Sequence, residues 1–387
     1  MDFRWIEEQL AFKESVRKFA EKEISPGTLE RDLKGEFHWE GWKKAGEFGL
    51  LGLPIPEEYG GGGADILTMM AAMEGYGYGC KDSGFNLSMS AHMVLCEIPI
   101  WKFGTEEQKR NYLPKLCRGE WIGAYALTEP EAGSDAFSLR TTATRRGDHY
   151  ALNGTKIFIT NGPIADVIVV FTTLDRALGT RGITAFIVEK GCAGFSVSKE
   201  LDKMGARSSP TGELVFEDCI VPAKNMLGQA GQGVAIVLES LEWERACLLT
   251  ARIGVMERAL DRCLRYASER VQFGKPIGQF QLIQEKLANM KVRLETARLM
   301  VYKAGWMKQQ GIPAHLEASI AKLYISECSV QSALDAVQIH GGYGYMREFE
   351  VERELRDVVA ATIGAGTSEI QKQIIARELL KKYEKAT

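Results

Sequence analysis

The chain reads as an α+β protein in three zones, helical, then β, then helical again, and three observations lead there. Apolar residues recur with a helical period from Phe3 to about Cys117 and from Gly231 nearly to the end, but with a period of two between Trp121 and Pro222. The β-rich runs follow one another with no helical stretch between them, which favours an antiparallel barrel or sandwich over a doubly wound sheet. The 387 residues are 45% hydrophobic and 26% charged, an ordinary globular composition with room for more than one domain. The expected domains are 1–120, 121–230 and 231–387.

In the first zone Ile6, Leu10, Phe12, Val16 and Phe19 form an amphipathic stripe. The run Gly60 to Gly63 reads as a loop rather than a phosphate cradle, and Asp65 is placed to cap the helix ILTMMAAMEGYGYG. The β zone contains TKIFIT, DVIVVFTT, ITAFIVE, FSVSKEL and ELVFEDCIV, and Asn153-Gly154 between two β-rich arms predicts a tight type I′ hairpin. The last zone predicts helical segments around 233–272, 279–310, 313–340 and 366–384, with GGYGY at 341–345 as a break between two of them.

Forty-eight Lys+Arg against 51 Asp+Glu leave a formal charge of -3, so no bulk electrostatic term favours nucleic acid or an anionic membrane. No apolar run is long enough to span a bilayer, and the acidic, amphipathic start MDFRWIEEQLAF is unlike a signal peptide, so a cytoplasmic protein is expected. Eight scattered cysteines, with no C-x-x-C pair and no clustering with the five histidines, read as buried free thiols rather than disulfides or a metal site.

Three segments carry chemistry. TEPEAGSD (128–135) offers hydroxyls and a glycine turn through which backbone N–H groups can approach a flat polar ligand, although by composition it is also a common surface turn. In KIFITNG (156–162) Phe158 and Thr160 stand two apart, an aromatic plate beside a hydroxyl if they share a strand face; alone, Phe158 reads as core. In SERVQFGKPIGQFQ (268–281) Arg270 precedes a helix break at Gly274 and Pro276, where it could bind a phosphate or merely make a surface ion pair.

In this order these segments resemble the acyl-CoA dehydrogenase family of flavoproteins, as do HGGYGY (340–345), GTSEIQ (366–371) and AREL (376–379). The resemblance spans nearly the whole chain. It implies N-terminal helices, a central β domain, a C-terminal four-helix bundle, FAD as cofactor and a homotetramer. Tyr125, Leu127, Thr128, Gly133, Ser134, Phe158 and Thr160 match family positions around the flavin ring and ribityl chain. Arg270, Gln272 and Phe273, with Gln281 nearby, match the segment that reaches FAD from a neighbouring subunit. Gln338, Gly341 and Gly342 match the site of the rest of the dinucleotide. Thr367 and Glu369 follow the usual base position, Glu369 replacing a commoner glutamine.

The family's usual base is the glutamate of a Tyr-Glu-Gly-Thr segment, but here the matching residues are Gly364-Ala365-Gly366-Thr367. Either the base lies elsewhere or catalysis has been lost to leave a flavin-binding protein. A minority branch that includes isovaleryl-CoA dehydrogenases carries its base on a C-terminal helix, and LEWERACLL (241–249) resembles that segment with Glu244 at the matching position. Independently, Val237, Leu241, Glu244 and Leu248 fall on one helix face. Ser240, Leu241, Cys247 and Leu248, at i−4, i−3, i+3 and i+4, offer Glu244 no cation. A desolvated carboxylate with a raised pKa suits a general base near neutral pH.

The resemblance implies α,β-dehydrogenation of an acyl thioester, with the Ala365 backbone N–H as a donor to the thioester oxygen. WERACL (243–248), LDKMGARSSPTGEL (201–214), TEPEAGSD and IIAREL resemble the prolyl-carrier-protein dehydrogenases and oxidases of natural-product pathways, as in anatoxin-a biosynthesis. The implied substrate is a prolyl group on the phosphopantetheine arm of a carrier protein. The alternative is a short branched acyl-CoA of the isovaleryl type.

Overall fold

The computed structural model describes residues 5–384; Phe3, where the first helical period begins, lies outside the described residues, as does the side chain of Leu248. The N-terminal region holds α1 (Glu7–Phe19), α2 (Thr28–Lys34), α3 (Trp39–Glu47), α4 (Ile66–Gly79), α5 (Ser83–Ser90), α6 (Ile98–Phe103) and α7 (Glu106–Cys117). Asp65 caps α4 as expected, its Oδ1 accepting the Thr68 N–H at 2.7 Å. The α1 stripe is only partly buried: Val16 is in the core, whereas Ile6 and Leu10 are 58% and 48% exposed.

The central region is one eight-stranded sheet of β1 (Gly123–Ala126), β2 (Thr142–Arg146), β3 (His149–Thr160), β4 (Val167–Thr173), β5 (Ile183–Glu189), β6 (Phe195–Glu200), β7 (Thr211–Pro222) and β8 (Met226–Leu227). The order is β6-β7-β3-β2-β4-β5-β8, with β1 beside β4. The pairing is mainly antiparallel, but β1 and β4 run parallel, and β2 touches β4 in parallel at Thr142 and Thr173. The chain leaves β1 through TEPEAGSD and the β2–β3 hairpin before returning as β4, the long crossover that a parallel pair requires. Alternate β4 residues feed two cores. Val167, Val169 and Phe171 join the helices, while Ile168 and Val170 pack with Phe186 and Val188 on the other face.

The expected hairpin at Asn153-Gly154 is not formed. These residues lie inside β3 at a register shift against β7, and the turn falls at Gly147-Asp148, between Arg146 and its partner His149. Gly154 is instead a close-approach position, where a Cβ would stand 2.5 Å from the Thr141 hydroxyl.

The C-terminal region comprises α8 (Gly233–Trp243), α9 (Thr250–Glu269), α10 (Gln281–Gln309), α11 (His315–His340), α12 (Gly342–Tyr345), α13 (Val351–Val359) and α14 (Ser368–Glu384). A short hairpin of β9 (Val271–Gln272) and β10 (Lys275–Pro276) joins α9 to α10. The segment expected over 233–272 is divided by a π-helical turn, Glu244–Leu248. GGYGY breaks α11 only at Gly341 and then forms α12. Where α4 crosses α9 their backbones nearly touch, since a Cβ on Gly77 would lie 1.8 Å from the Ala251 carbonyl oxygen. That contact fixes the end of the π turn against the N-terminal helices. All eight cysteines are free thiols, seven of them buried.

Candidate active site

At the end of β1 the chain enters TEPEAGSD, whose acid is used internally. Glu129 is buried and accepts Lys156 Nζ at 2.7 Å and the N–H groups of Arg140 and Thr141 at 2.6 and 2.9 Å. Lys156 also donates to the Leu127 carbonyl at 2.9 Å, and burial pushes it down to about 8 against the pull of Glu129. The Ile157 N–H donates to the Thr128 carbonyl at 2.9 Å, drawing the two expected flavin segments together. Phe158 does not reach the surface by simple strand alternation: β3 carries a register shift between Lys156 and Ile159, and Phe158 has φ 60°. This bulge leaves the ring 66% exposed while Ile159 is buried.

Thr160 is part-buried at the end of β3, and Asn161 anchors that end to the Ser88 and Gly123 carbonyls at 2.9 and 3.0 Å. Leu127 is buried, Thr128 half-buried, and Gly133 and Ser134 are exposed, with open space around Gly133. The Tyr125 ring packs on Phe171 at 4.8 Å, and its buried hydroxyl lies beside Ser240, with no partner at full hydrogen-bond geometry among the described residues. Burial pushes that phenol up, and Ser240, Glu244 and Arg245 also act on it.

A second group surrounds a cleft of about 590 Å³ between α9 and α12. Tyr266, Arg270, Gln272, His340, Gly341 and Gly342 are among its walls. The Arg270 guanidinium lies 5.6 Å above the Tyr343 ring and has no acidic partner among the described residues. Phe273, at φ 52° on the β9–β10 hairpin, is 93% exposed. Gln281 and Gln338 are exposed and do not line this cleft, nor do Thr128 or Phe158. Within one chain the first group therefore does not line this cleft.

The third group centres on Glu244, the first residue of the π turn. It is half-buried and, among the described residues, receives no hydrogen bond and no ion pair. Burial pushes its pKa up, while Arg245 and Lys322 pull it down. The absence of a cation at its helical neighbours agrees with the sequence, but the adjacent Arg245 and Lys322 of α11 supply positive charge. Both bind the turn that lacks the usual carboxylate. Arg245 Nε and Nη2 donate to the Ala365 carbonyl at 3.1 and 2.8 Å, and Lys322 Nζ donates to the Gly366 carbonyl at 2.7 Å. Gln371 Nε2 reaches both oxygens at 3.1 and 3.2 Å. Ala365 has φ 56°, and its N–H meets no acceptor among the described residues. Thr367 accepts the Ile370 N–H at 3.3 Å at the start of α14, and Glu369 is exposed.

Arg245, Lys322 and Gln371 were not found by sequence reasoning. A lysine inside the apolar run ASIAKLYIS was a usable signal. Arg245 offers no such signal, because Glu242 stands three residues before it at the spacing of a helical ion pair; in the structure Glu242 pairs with Lys308 at 2.9 Å.

Three family models match the chain: the acyl-CoA dehydrogenase N-terminal domain over residues 6–120, its middle domain over 124–219 and its C-terminal domain over 231–380. The L-prolyl-[peptidyl-carrier protein] dehydrogenase of Pseudomonas fluorescens is 48% identical, covering 87% of this chain and 89% of that protein. A short-chain-specific acyl-CoA dehydrogenase of Clostridium acetobutylicum is 44% identical over 98% of this chain and all of that protein. The mitochondrial isovaleryl-CoA dehydrogenase of Pongo abelii is 44% identical, covering 96% and 88%. Among solved structures, the prolyl acyl carrier protein oxidase AnaB is 49% identical with a TM-score of 0.96, covering 97% of this chain and 100% of that one. PigA with FAD and proline is 39% identical with a TM-score of 0.96, covering 98% and 99%.

Proposed function

The chain belongs to the acyl-CoA dehydrogenase family, and on that premise we propose that it is an FAD-dependent dehydrogenase of acyl thioesters, with Glu244 as base and a carrier-bound prolyl group as substrate. The residues fit FAD. Phe158 offers an exposed aromatic face, Gly133, Gly341 and Gly342 leave their backbone open to close approach, and Arg270 is a cation without an acidic partner. Tyr125, Leu127, Thr128, Gly133, Ser134, Phe158 and Thr160 would hold the flavin side. Arg270, Gln272, Phe273, Gln281, Gln338, Gly341 and Gly342 would hold the rest, with Thr367 and Glu369 beside the substrate turn. When bound, FAD supplies the acceptor for the hydrogen that leaves Cβ as hydride.

One observation carries the chemistry: among the described residues, a carboxylate with a raised proton affinity and no ion pair lies among the cations that hold the Ala365 turn, whose N–H meets no acceptor. Glu244 takes the Cα proton, and the Ala365 N–H donates to the thioester oxygen as negative charge develops there. A main-chain donor survives the loss of the side-chain carboxylate from that turn.

The prolyl reading rests on two relatives named for prolyl carrier proteins and on Tyr125. Its buried hydroxyl, beside Ser240, meets no partner at full hydrogen-bond geometry among the described residues, and a proline amine can complete its bonding where a hydrocarbon acyl group cannot. Gly364 adds room, since a Cβ there would meet only the Ala360 carbonyl oxygen, at 3.5 Å. The test is anaerobic bleaching of the bound flavin by prolyl-carrier protein and isovaleryl-CoA at equal concentration. Faster bleaching by the carrier-bound prolyl group is expected; faster bleaching by isovaleryl-CoA reverses the assignment.

A further inference from the structure

Lys322 sits in the middle of α11 with only 2% of its surface exposed. Among the described residues no carboxylate lies within ion-pair distance of it, and its ammonium donates to the Gly366 carbonyl at 2.7 Å. A buried ammonium without a counter-ion is unfavourable, so its position calls for a compensating use. The charged groups acting on it are Arg245 and Glu244 from the π turn, Glu369 from α14 and Glu327 from its own helix.

The arrangement is convergent. Two cations and one amide, from three different elements, fasten two successive carbonyls of a turn that contains no side-chain acid. The turn is conformationally demanding, with φ 56° at Ala365 and 88° at Gly366. Left-handed backbone at a residue with a Cβ persists only when its surroundings hold it there. We infer that Lys322 is a positioning residue of the reaction, holding the turn that presents the Ala365 N–H and supplying, with Arg245, the positive charge against which Glu244 works. This rests on Glu244 being the base.

The charge sets a sign. Burial pushes Glu244 up and the two cations oppose it, so removing Lys322 should raise the proton affinity of Glu244 further and leave less of it ionised at neutral pH. Lys322 is itself pushed down to about 8, first by burial and then by Arg245, so its charge fades on the alkaline side. An arginine at that position would stay charged.

The experiment follows flavin bleaching by the thioester across pH in the FAD-loaded enzyme and its Lys322→Met, Lys322→Arg and Glu244→Gln variants. In Lys322→Met the acid limb should move up by about one pH unit, a loss of about tenfold on that limb, with flavin still bound. Lys322→Arg should keep the acid limb and extend activity to higher pH. If Lys322→Met does not load flavin, Lys322→Gln takes its place. Coincident acid limbs in wild type and the neutral variant overturn the inference while leaving Glu244 as base. Full activity in Glu244→Gln overturns both.

Discussion

At the scale of single residues, Glu244 is placed where its charged form is disfavoured by burial yet not abolished, because Arg245 and Lys322 oppose the desolvation. Replacing it by glutamine keeps the shape and removes the proton acceptor, so flavin should stay bound while its reduction by substrate falls by ~10²–10⁴-fold in stopped-flow measurements. Stability gives an independent reading. A carboxyl whose folded pKa is raised contributes stability that is whole below its unfolded pKa and is lost as pH rises through the folded value. Glu244→Gln should therefore match wild type in acid and unfold at a higher temperature near neutral pH. An equal Tm difference at both pH values would contradict the raised pKa. On the proposed prolyl reading the Tyr125 hydroxyl meets the proline amine, so Tyr125→Phe should slow reduction by the prolyl thioester about tenfold, one lost hydrogen bond, and leave isovaleryl-CoA reduction unchanged. Equal slowing of both would leave Tyr125 its flavin-side role alone and remove it from substrate discrimination.

At the scale of elements, the local rules that succeeded were those whose partners are near in sequence. Asp65 and Thr68 lie three residues apart and form the expected cap. Asp65→Ala should cost about 1 kcal/mol in denaturant unfolding without changing the flavin spectrum, and a change below the error of that measurement would show that α4 is held by packing alone. Asn153-Gly154 failed because strand pairing decided. Its two arms both pair with β7, making one long bent strand, and Gly147-Asp148 took the turn. Phe158 was legible as a residue but not as a geometry, since its exposure comes from a bulge set by Ile157 bonding to Thr128. The Glu244 helix was expected to be continuous. The π turn that begins there, and the cations around it, depend on contacts with α11 and α14 more than 70 residues away, which a local period does not encode. What the sequence did carry about this site was Glu244 on an apolar helix face and the missing acid at Ala365.

At the scale of the whole molecule, the two groups of residues proposed to hold flavin do not line one cleft within one chain, and exposed apolar residues such as Leu282, Val292, Leu299, Leu379 and Leu380 line the outer faces of α10 and α14. We propose that both facts have one cause, assembly into a homotetramer in which Arg270 and Phe273 complete the flavin site of a neighbour. Phe273, 93% exposed at positive φ, is otherwise an unfavourable placement for a large apolar side chain. Arg270→Ala should lower flavin occupancy while the sheet stays folded, but loss of occupancy alone does not say whose site is emptied. Mixing two defective proteins does. In a mixed oligomer of Arg270→Ala and Glu244→Gln subunits, some sites would pair an intact Glu244 with an Arg270 from the other subunit. Refolding or co-expressing the two should then restore a substantial fraction of thioester-driven flavin reduction, where either alone has little. If Arg270 serves the site of its own chain, every site in the mixture stays defective and no activity returns, whatever the oligomeric state measured by light scattering.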